Sequence, residues 1–317
     1  MKRNIKDFIL IAVKGIGMGA ADVIPGVSGG TIAFITGIYE ELLASIKKSP
    51  LAFKIFIESK FNVKLFWKEL NGNFLFSLLL GIGISILSLA KLMTYLLKDH
   101  PIPVWSFFFG LILASVWFVL KDIKKWKSSY FVSLILGVVA GYLITVISPS
   151  ETPDNLWFVF LSGVIAICAM ILPGISGSFI LLLLGKYKYI LAALDRVDIP
   201  VLMVFAAGAV IGIISFSHFL SWLLKKYKFL TIAFLAGIMF GSLNKIWPWK
   251  QTVESITDSH GQIIPLVEKN ILPATYSETT DSPSLLFYAI AMMLAGLAII
   301  FVMDIIATKL KKNNELQ

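Results

Sequence analysis

Ten apolar segments alternate with polar stretches along the chain, at about residues 8–24, 26–46, 74–97, 104–120, 129–148, 156–172, 174–194, 199–224, 229–247 and 284–308. Most approach the length of roughly 20 residues that crosses a bilayer as a helix. The ten-residue alternation of a transmembrane barrel is missing, so the pattern predicts an all-α polytopic membrane protein. Two junctions stand apart. Segments one and two meet at Pro25-Gly26-Val27-Ser28-Gly29-Gly30-Thr31, and segments six and seven at Pro173-Gly174-Ile175-Ser176-Gly177-Ser178. Proline lacks an amide hydrogen and glycine loses the most backbone entropy on ordering, so both junctions break a helix. Neither has Lys or Arg within several residues, which favours re-entrant hairpins over turns standing in water. Irregular backbone at membrane depth is tolerated only where protein or a cavity surrounds it.

The two hairpins are copies. At an offset of 148 residues Gly15 meets Gly163, Pro25 meets Pro173, Ser28 meets Ser176, Gly37 meets Gly185 and Tyr39 meets Tyr187. At an offset of 127, Gly81 meets Gly208, Ser88 meets Ser215 and Gly110 meets Gly237. A longer cytoplasmic loop expected in the first copy, about 47–73, absorbs the change of offset. The expected domains are residues 1–148, with hairpin 8–46 and helices 74–97, 104–120 and 129–148, and residues 149–317, with hairpin 156–194 and helices 199–224, 229–247 and 284–308. Each copy holds five apolar segments, an odd number, so the two are expected to be inverted in the membrane. Broken, polar segments repeated in this way point to a transporter's central site.

Composition agrees. The chain is 57% hydrophobic and 15% charged, with a mean hydropathy of +0.85; soluble domains carry about 25% charged residues. The net charge of +9 is distributed in clusters at Lys2–Lys6, Lys47–Lys68, Lys121–Lys127, Lys225–Lys228 and Lys309–Lys312. With the N-terminus in the cytoplasm, alternation puts every cluster inside, as the positive-inside rule requires. Both termini are therefore expected to be cytoplasmic, and the positive charge reads as topology rather than as a nucleic-acid surface. The start of the chain does not read as a cleavable signal, because Lys14 interrupts the apolar part. Cys168 is the single cysteine and cannot form an internal disulfide. Neither a P-loop nor a metal-ligand spacing occurs, so no cofactor is expected.

The chemistry lies in the turns. The helices that start near Ser28 and Ser176 direct unpaired N–H groups and a positive dipole end at the turn. Gly26, Gly29, Gly30, Gly174 and Gly177 allow close backbone approach, and Ser28, Thr31, Ser176 and Ser178 add hydroxyls. Together with Pro25 and Pro173 these form a candidate anion site, most naturally for a phosphate. A plainer reading has Ser28 and Ser176 capping their helices. Asp22, a carboxylate three residues before Pro25, is a candidate proton or sodium site; the structural alternative is a cap or a salt bridge to Lys14. Lys186, Lys188 and Arg196 cluster near the outer end of the second hairpin, where a guanidinium suits a lipid phosphate; snorkelling beside Asp195 and Asp198 is the alternative. Lys91 and His218 occupy matching positions, and Glu40 and Glu41 end the second segment.

The run Gly19-Ala20-Ala21-Asp22-Val23-Ile24-Pro25-Gly26-Val27-Ser28-Gly29-Gly30-Thr31, with the later Pro173-Gly174-Ile175-Ser176-Gly177, resembles the bacterial polyprenyl-phosphate transporter family (PopT) over nearly the whole chain. The resemblance implies a flippase of the bacterial cytoplasmic membrane. It would return undecaprenyl phosphate from the outer to the inner leaflet for peptidoglycan and other envelope synthesis. It carries over to the two Pro-Gly-x-Ser-Gly turns, Asp22 and Thr31. The nearest rival is an undecaprenyl-diphosphate phosphatase, whose similar Pro-Gly-x-Ser motif continues with an arginine; Gly29 and Gly177 stand there instead, so an enzyme is not expected. A small-anion secondary transporter is the other alternative.

Overall fold

The computed structural model describes residues 3–23, 27–150, 152–257, 263–280 and 282–315. The first hairpin comprises α1 (Ile5–Asp22), α2 (Gly29–Ile35) and α3 (Tyr39–Lys47). Two short helices follow, α4 (Ser49–Glu58) and α5 (Val63–Glu69). Then come α6 (Gly72–Asp99), α7 (Pro101–Leu120) and α8 (Ser128–Val146). The second hairpin comprises α9 (Leu156–Ile171), α10 (Gly177–Leu183) and α11 (Tyr187–Asp195). It is followed by α12 (Ile199–Lys226) and α13 (Lys228–Ser242). Strands β1 (Lys250–Thr257) and β2 (Ile263–Asn270), α14 (Pro273–Thr280) and α15 (Leu286–Glu315) complete the chain.

Among the described residues four helices can cross a membrane by length and composition: α7, α8, α12 and the Gly72–Leu89 part of α6. The α10–α11 pair, bent by 107°, is a fifth broken span or a re-entrant loop. Apolar side chains exposed along α8, including Phe131, Ile135 and Leu136, suit contact with lipid.

Three features differ from the sequence expectation. The fold is not all-α, because β1 and β2 pair as a two-stranded sheet; Thr252, Val253, Ile256 and Thr257 give β1 the β-branched residues that favour a strand. Residues 47–73 are helical rather than a plain loop. The second limb of each hairpin is itself broken, at Gly37 (φ +74°) and Gly185 (φ +66°). A side chain at those backbone angles is strained, which is why glycine stands there.

The described residues form two compact units, and each draws helices from both halves of the chain. The first unit is residues 1–93, 147–231 and 257–264, and holds both hairpins. Within it α1 packs on α6 and α9 on α12, through glycines at matching places. A Cβ on Gly15 would strike the Leu78 carbonyl, and one on Gly81 the Ala12 carbonyl. Gly163 faces the Phe205 carbonyl and Gly208 the Phe160 carbonyl in the same manner. Small residues let membrane helices approach this closely.

The second unit is residues 94–146, 232–256 and 265–317. Here α7 packs on α15, with Gly110 against Met293 and Gly296 against Phe107. Helix α8 meets α13 through Gly137 and Gly237. At the sheet, Lys245 pairs with Glu268 at 2.9 Å, while the buried Lys250 ammonium lies 3.6 Å from Glu268 and 4.0 Å above the Trp105 ring. Burial lowers the Lys250 pKa to about 8, although the Glu268 charge acts to raise it. Glu268 is held below the usual carboxylate range: burial alone would raise it, but its two lysines more than offset that.

Candidate functional site

Inside the first unit the two broken turns meet. Helix α1 ends at Asp22, and Ile24, Pro25 and Gly26 lie outside the described residues. Ser28 is extended and caps α2, its Oγ accepting from the Gly30 N–H at 3.0 Å. The Gly29 N–H donates to Asp22 Oδ1 at 2.7 Å. This contact needs a glycine, because a Cβ at residue 29 would collide with the Asp22 carboxylate. In the second turn Pro173 and Gly174 are buried and Gly174 takes φ +89°. Ser176 is extended but its side chain does not cap α10; its Oγ lies 2.8 Å from that of Ser178. The capping reading therefore holds for Ser28 and not for Ser176.

The contact between the turns is made by hydroxyls of the first hairpin. Ser28 Oγ lies 3.1 Å from the Met170 carbonyl and 3.3 Å from that of Leu172. Tyr39, fully buried, donates its OH to the Ile171 carbonyl at 3.0 Å. The Gly174 N–H donates to Thr31 Oγ1 at 2.9 Å. The last carbonyls of any helix lack partners inside it. Ser28 and Tyr39 thus satisfy the C-terminal end of α9 from the opposite hairpin. Gly30 makes room: a Cβ there would come within 2.6 Å of the Ile171 carbonyl.

Of the sequence candidates, Asp22, Ser28, Gly29, Gly30, Thr31, Pro173 and Gly174 lie at this junction, with Ser176, Gly177 and Ser178 at the adjoining start of α10. Arg196 and Lys188 do not join them; both are exposed at α11. Lys186 is 1% exposed and donates to the Thr152 carbonyl and to Asp154 Oδ1, each at 2.5 Å. It fastens the second hairpin to the preceding segment. Lys14 does not pair with Asp22; it donates to the Thr36 carbonyl at the end of α2. Glu41 pairs with Arg3, and Glu40 lies 3.2 Å from Lys228. Lys91 and His218 are exposed. Tyr39 was not among the sequence candidates, although its recurrence as Tyr187 marked the position.

Comparison with known proteins adds the family. A profile described as undecaprenyl phosphate translocase-like matches residues 18–264. A polyprenyl-phosphate transporter of Vibrio cholerae serotype O1 is 47% identical over 310 residues, which is 98% of this chain and 100% of the relative. A polyprenyl-phosphate transporter of Staphylococcus aureus is 33% identical over 255 residues, 74% of this chain and 85% of the relative. No solved structure matches the chain. The matched region contains both turns, and the chain belongs to the undecaprenyl phosphate translocase-like family.

Proposed function

We propose that the protein moves polyprenyl phosphate, in particular undecaprenyl phosphate, from the outer to the inner leaflet of the bacterial cytoplasmic membrane. It acts as a transporter rather than an enzyme. The observation that carries this reading is the junction of two broken turns inside a chain matched from end to end by a polyprenyl-phosphate transporter. A lipid phosphate needs a small polar passage for its head while the tail stays in lipid. The two turns, Pro25 to Thr31 and Pro173 to Ser178, supply backbone N–H groups and hydroxyls for such a passage.

Asp22 gives the passage a resident anion. Its carboxylate occupies the Gly29 N–H that a phosphate oxygen would use. Phosphate entry then requires the carboxylate to leave, and binding of a proton or sodium ion to Asp22 favours that exchange. Arg196 and Lys188, exposed beyond the second hairpin, would attract the headgroup before entry. Residues 1–148 and 149–317 act as inverted halves. In support, α2 and α10, and α3 and α11, begin and end at one constant offset. In the second unit each half contributes one helix to both close pairs, as a two-fold axis requires. The basic clusters support a cytoplasmic position for both termini.

The test is leaflet exchange in proteoliposomes carrying fluorescent polyprenyl phosphate, with free phosphate assayed in the same samples. Wild type should exchange lipid without releasing phosphate. Loss of a charge-assisted hydrogen bond costs about 1.5–3 kcal/mol, so Ser28→Ala/Ser176→Ala should slow exchange roughly tenfold or more. Asp22→Asn should fold and lose dependence on a proton or sodium gradient. Unaltered exchange in both variants would remove the turns from the mechanism.

A further inference from the structure

Helices α4 and α5 have no counterpart in the second half of the chain. Only Arg196, Val197 and Asp198 separate α11 from α12, whereas 24 residues separate α3 from α6. The pair forms a small helical hairpin of its own. Phe56 packs edge-on against Phe61 and tilted against Phe66, with centroids 5.2 Å apart in both cases. Ala52 is the one buried residue of α4, and α5 has none.

Most of the apolar surface of the pair faces outward. Leu51, Phe53, Ile57, Phe61 and Val63 are each more than half exposed. This surface runs into a membrane-crossing helix. Trp67 lies over Gly72, donates its Nε1–H to Asn73 Oδ1 at 2.7 Å, and sits 6.1 Å from Phe76, which faces outward on α6 beside Leu79 and Leu80. Tryptophan at a helix end marks the headgroup level. Lys47, Lys48, Lys54, Lys60, Lys64 and Lys68 are all exposed in this segment, against two glutamates, and Glu58 already pairs with Lys54 at 3.7 Å. Its far end is moored: Asn71 donates to Glu41, which also holds Arg3.

We infer that α4–α5 is an interfacial module whose apolar face enters the leaflet next to α6 and whose lysines bind the phosphate headgroups of anionic lipids. The occupant is lipid because the exposed face is continuous with the lipid-facing side of a spanning helix and because a lysine surplus rims it. Lys64 and Lys68, one turn apart on α5, together with Lys60 in the turn between α4 and α5, supply the contact. Each lysine near an anionic surface contributes roughly a fivefold preference for that surface. This inference concerns a surface outside the turn junction and does not depend on how lipid passes there.

The test uses the full-length chain with Cys168→Ser and one new cysteine, Phe53→Cys or Leu51→Cys in separate variants, bearing an environment-sensitive fluorophore. Each is reconstituted in phosphatidylcholine vesicles with or without phosphatidylglycerol. Quenching by brominated acyl chains should occur in both and increase with phosphatidylglycerol. Lys60→Gln/Lys64→Gln/Lys68→Gln, or high salt, should abolish that increase and leave the basal quenching. A label reached by aqueous iodide and not by brominated chains would overturn the inference, and would mean that the face meets water or a protein. A phosphatidylglycerol increment that survives the triple substitution would overturn the headgroup contact.

Discussion

Replacing Tyr39 with phenylalanine removes one oxygen from the junction of the two turns. The ring keeps its place, because its edge-to-face contact with Phe34, at 5.0 Å between centroids, does not involve the hydroxyl. What is lost is the 3.0 Å bond to the Ile171 carbonyl. A typical net hydrogen bond contributes about 0.5–1.5 kcal/mol, and stranding a buried partner costs about 1–3 kcal/mol. Double-mutant cycles inside a membrane protein average about 0.6 kcal/mol and reach about 1.7. The Ile171 carbonyl lies at the end of α9, and the Ile175 N–H that would otherwise reach it bonds Leu172 instead. The loss should therefore fall in the upper part of the membrane range, at about 1–1.5 kcal/mol, or close to tenfold in the unfolding equilibrium. Reversible unfolding by steric trapping in bicelles measures it. The exposed Tyr142→Phe is the control and should change stability by a few tenths of a kcal/mol at most. A Tyr39→Phe protein as stable as the control would refute the claim that the first hairpin satisfies the end of the second.

Gly208→Ala should destabilise by about 1–3 kcal/mol, because the new methyl meets the Phe160 carbonyl and parts α9 from α12, whereas Gly83→Ala, with nothing within 4 Å, should be neutral or slightly stabilising; detergent size-exclusion and thermal unfolding distinguish them. Lys250 titrates at about 8 in the folded protein and near 10.5 when unfolded. Between those values the unfolded chain binds more protons, so this residue makes stability rise with pH from about 8 to about 10.5. Thermal unfolding across that window should show the rise in wild type and its loss in Lys250→Met; equal slopes in the two proteins would refute it.

Much of the local architecture was legible in the sequence. Proline, glycine and serine announced both hairpin turns, since each acts on the backbone where it stands. The repeated Gly15/Gly163 and Gly81/Gly208 marked the duplication in the sequence, and that they admit a neighbouring backbone is seen only in the fold. The bends at Gly37 and Gly185 were also visible as a recurring glycine, but inside an apolar run such a residue does not reveal whether it packs or turns. The β-hairpin was missed because neither strand shows the period-two alternation of a half-buried strand. Lys186 read as a surface cation, and only its fold neighbours Thr152 and Asp154 make it a buried fastening. The partners of Ser28 and Tyr39 are backbone carbonyls, which leave no mark on residue type. The division into two mixed units depends on packing between distant helices, and hydropathy contains no information about that.

The junction between the turns also imposes an order on synthesis. Ser28 and the carbonyls it meets lie 142 and 144 residues apart. At roughly 5–20 residues per second, the first hairpin enters the membrane on the order of ten seconds before its counterpart exists. During that interval its hydroxyls and turn backbone have no partner from the second hairpin, in a solvent that offers none. The nascent chain must keep this segment shallow or in the care of the insertion machinery until α9 arrives. Delay at that stage lengthens the interval in which the first hairpin stands without its counterpart.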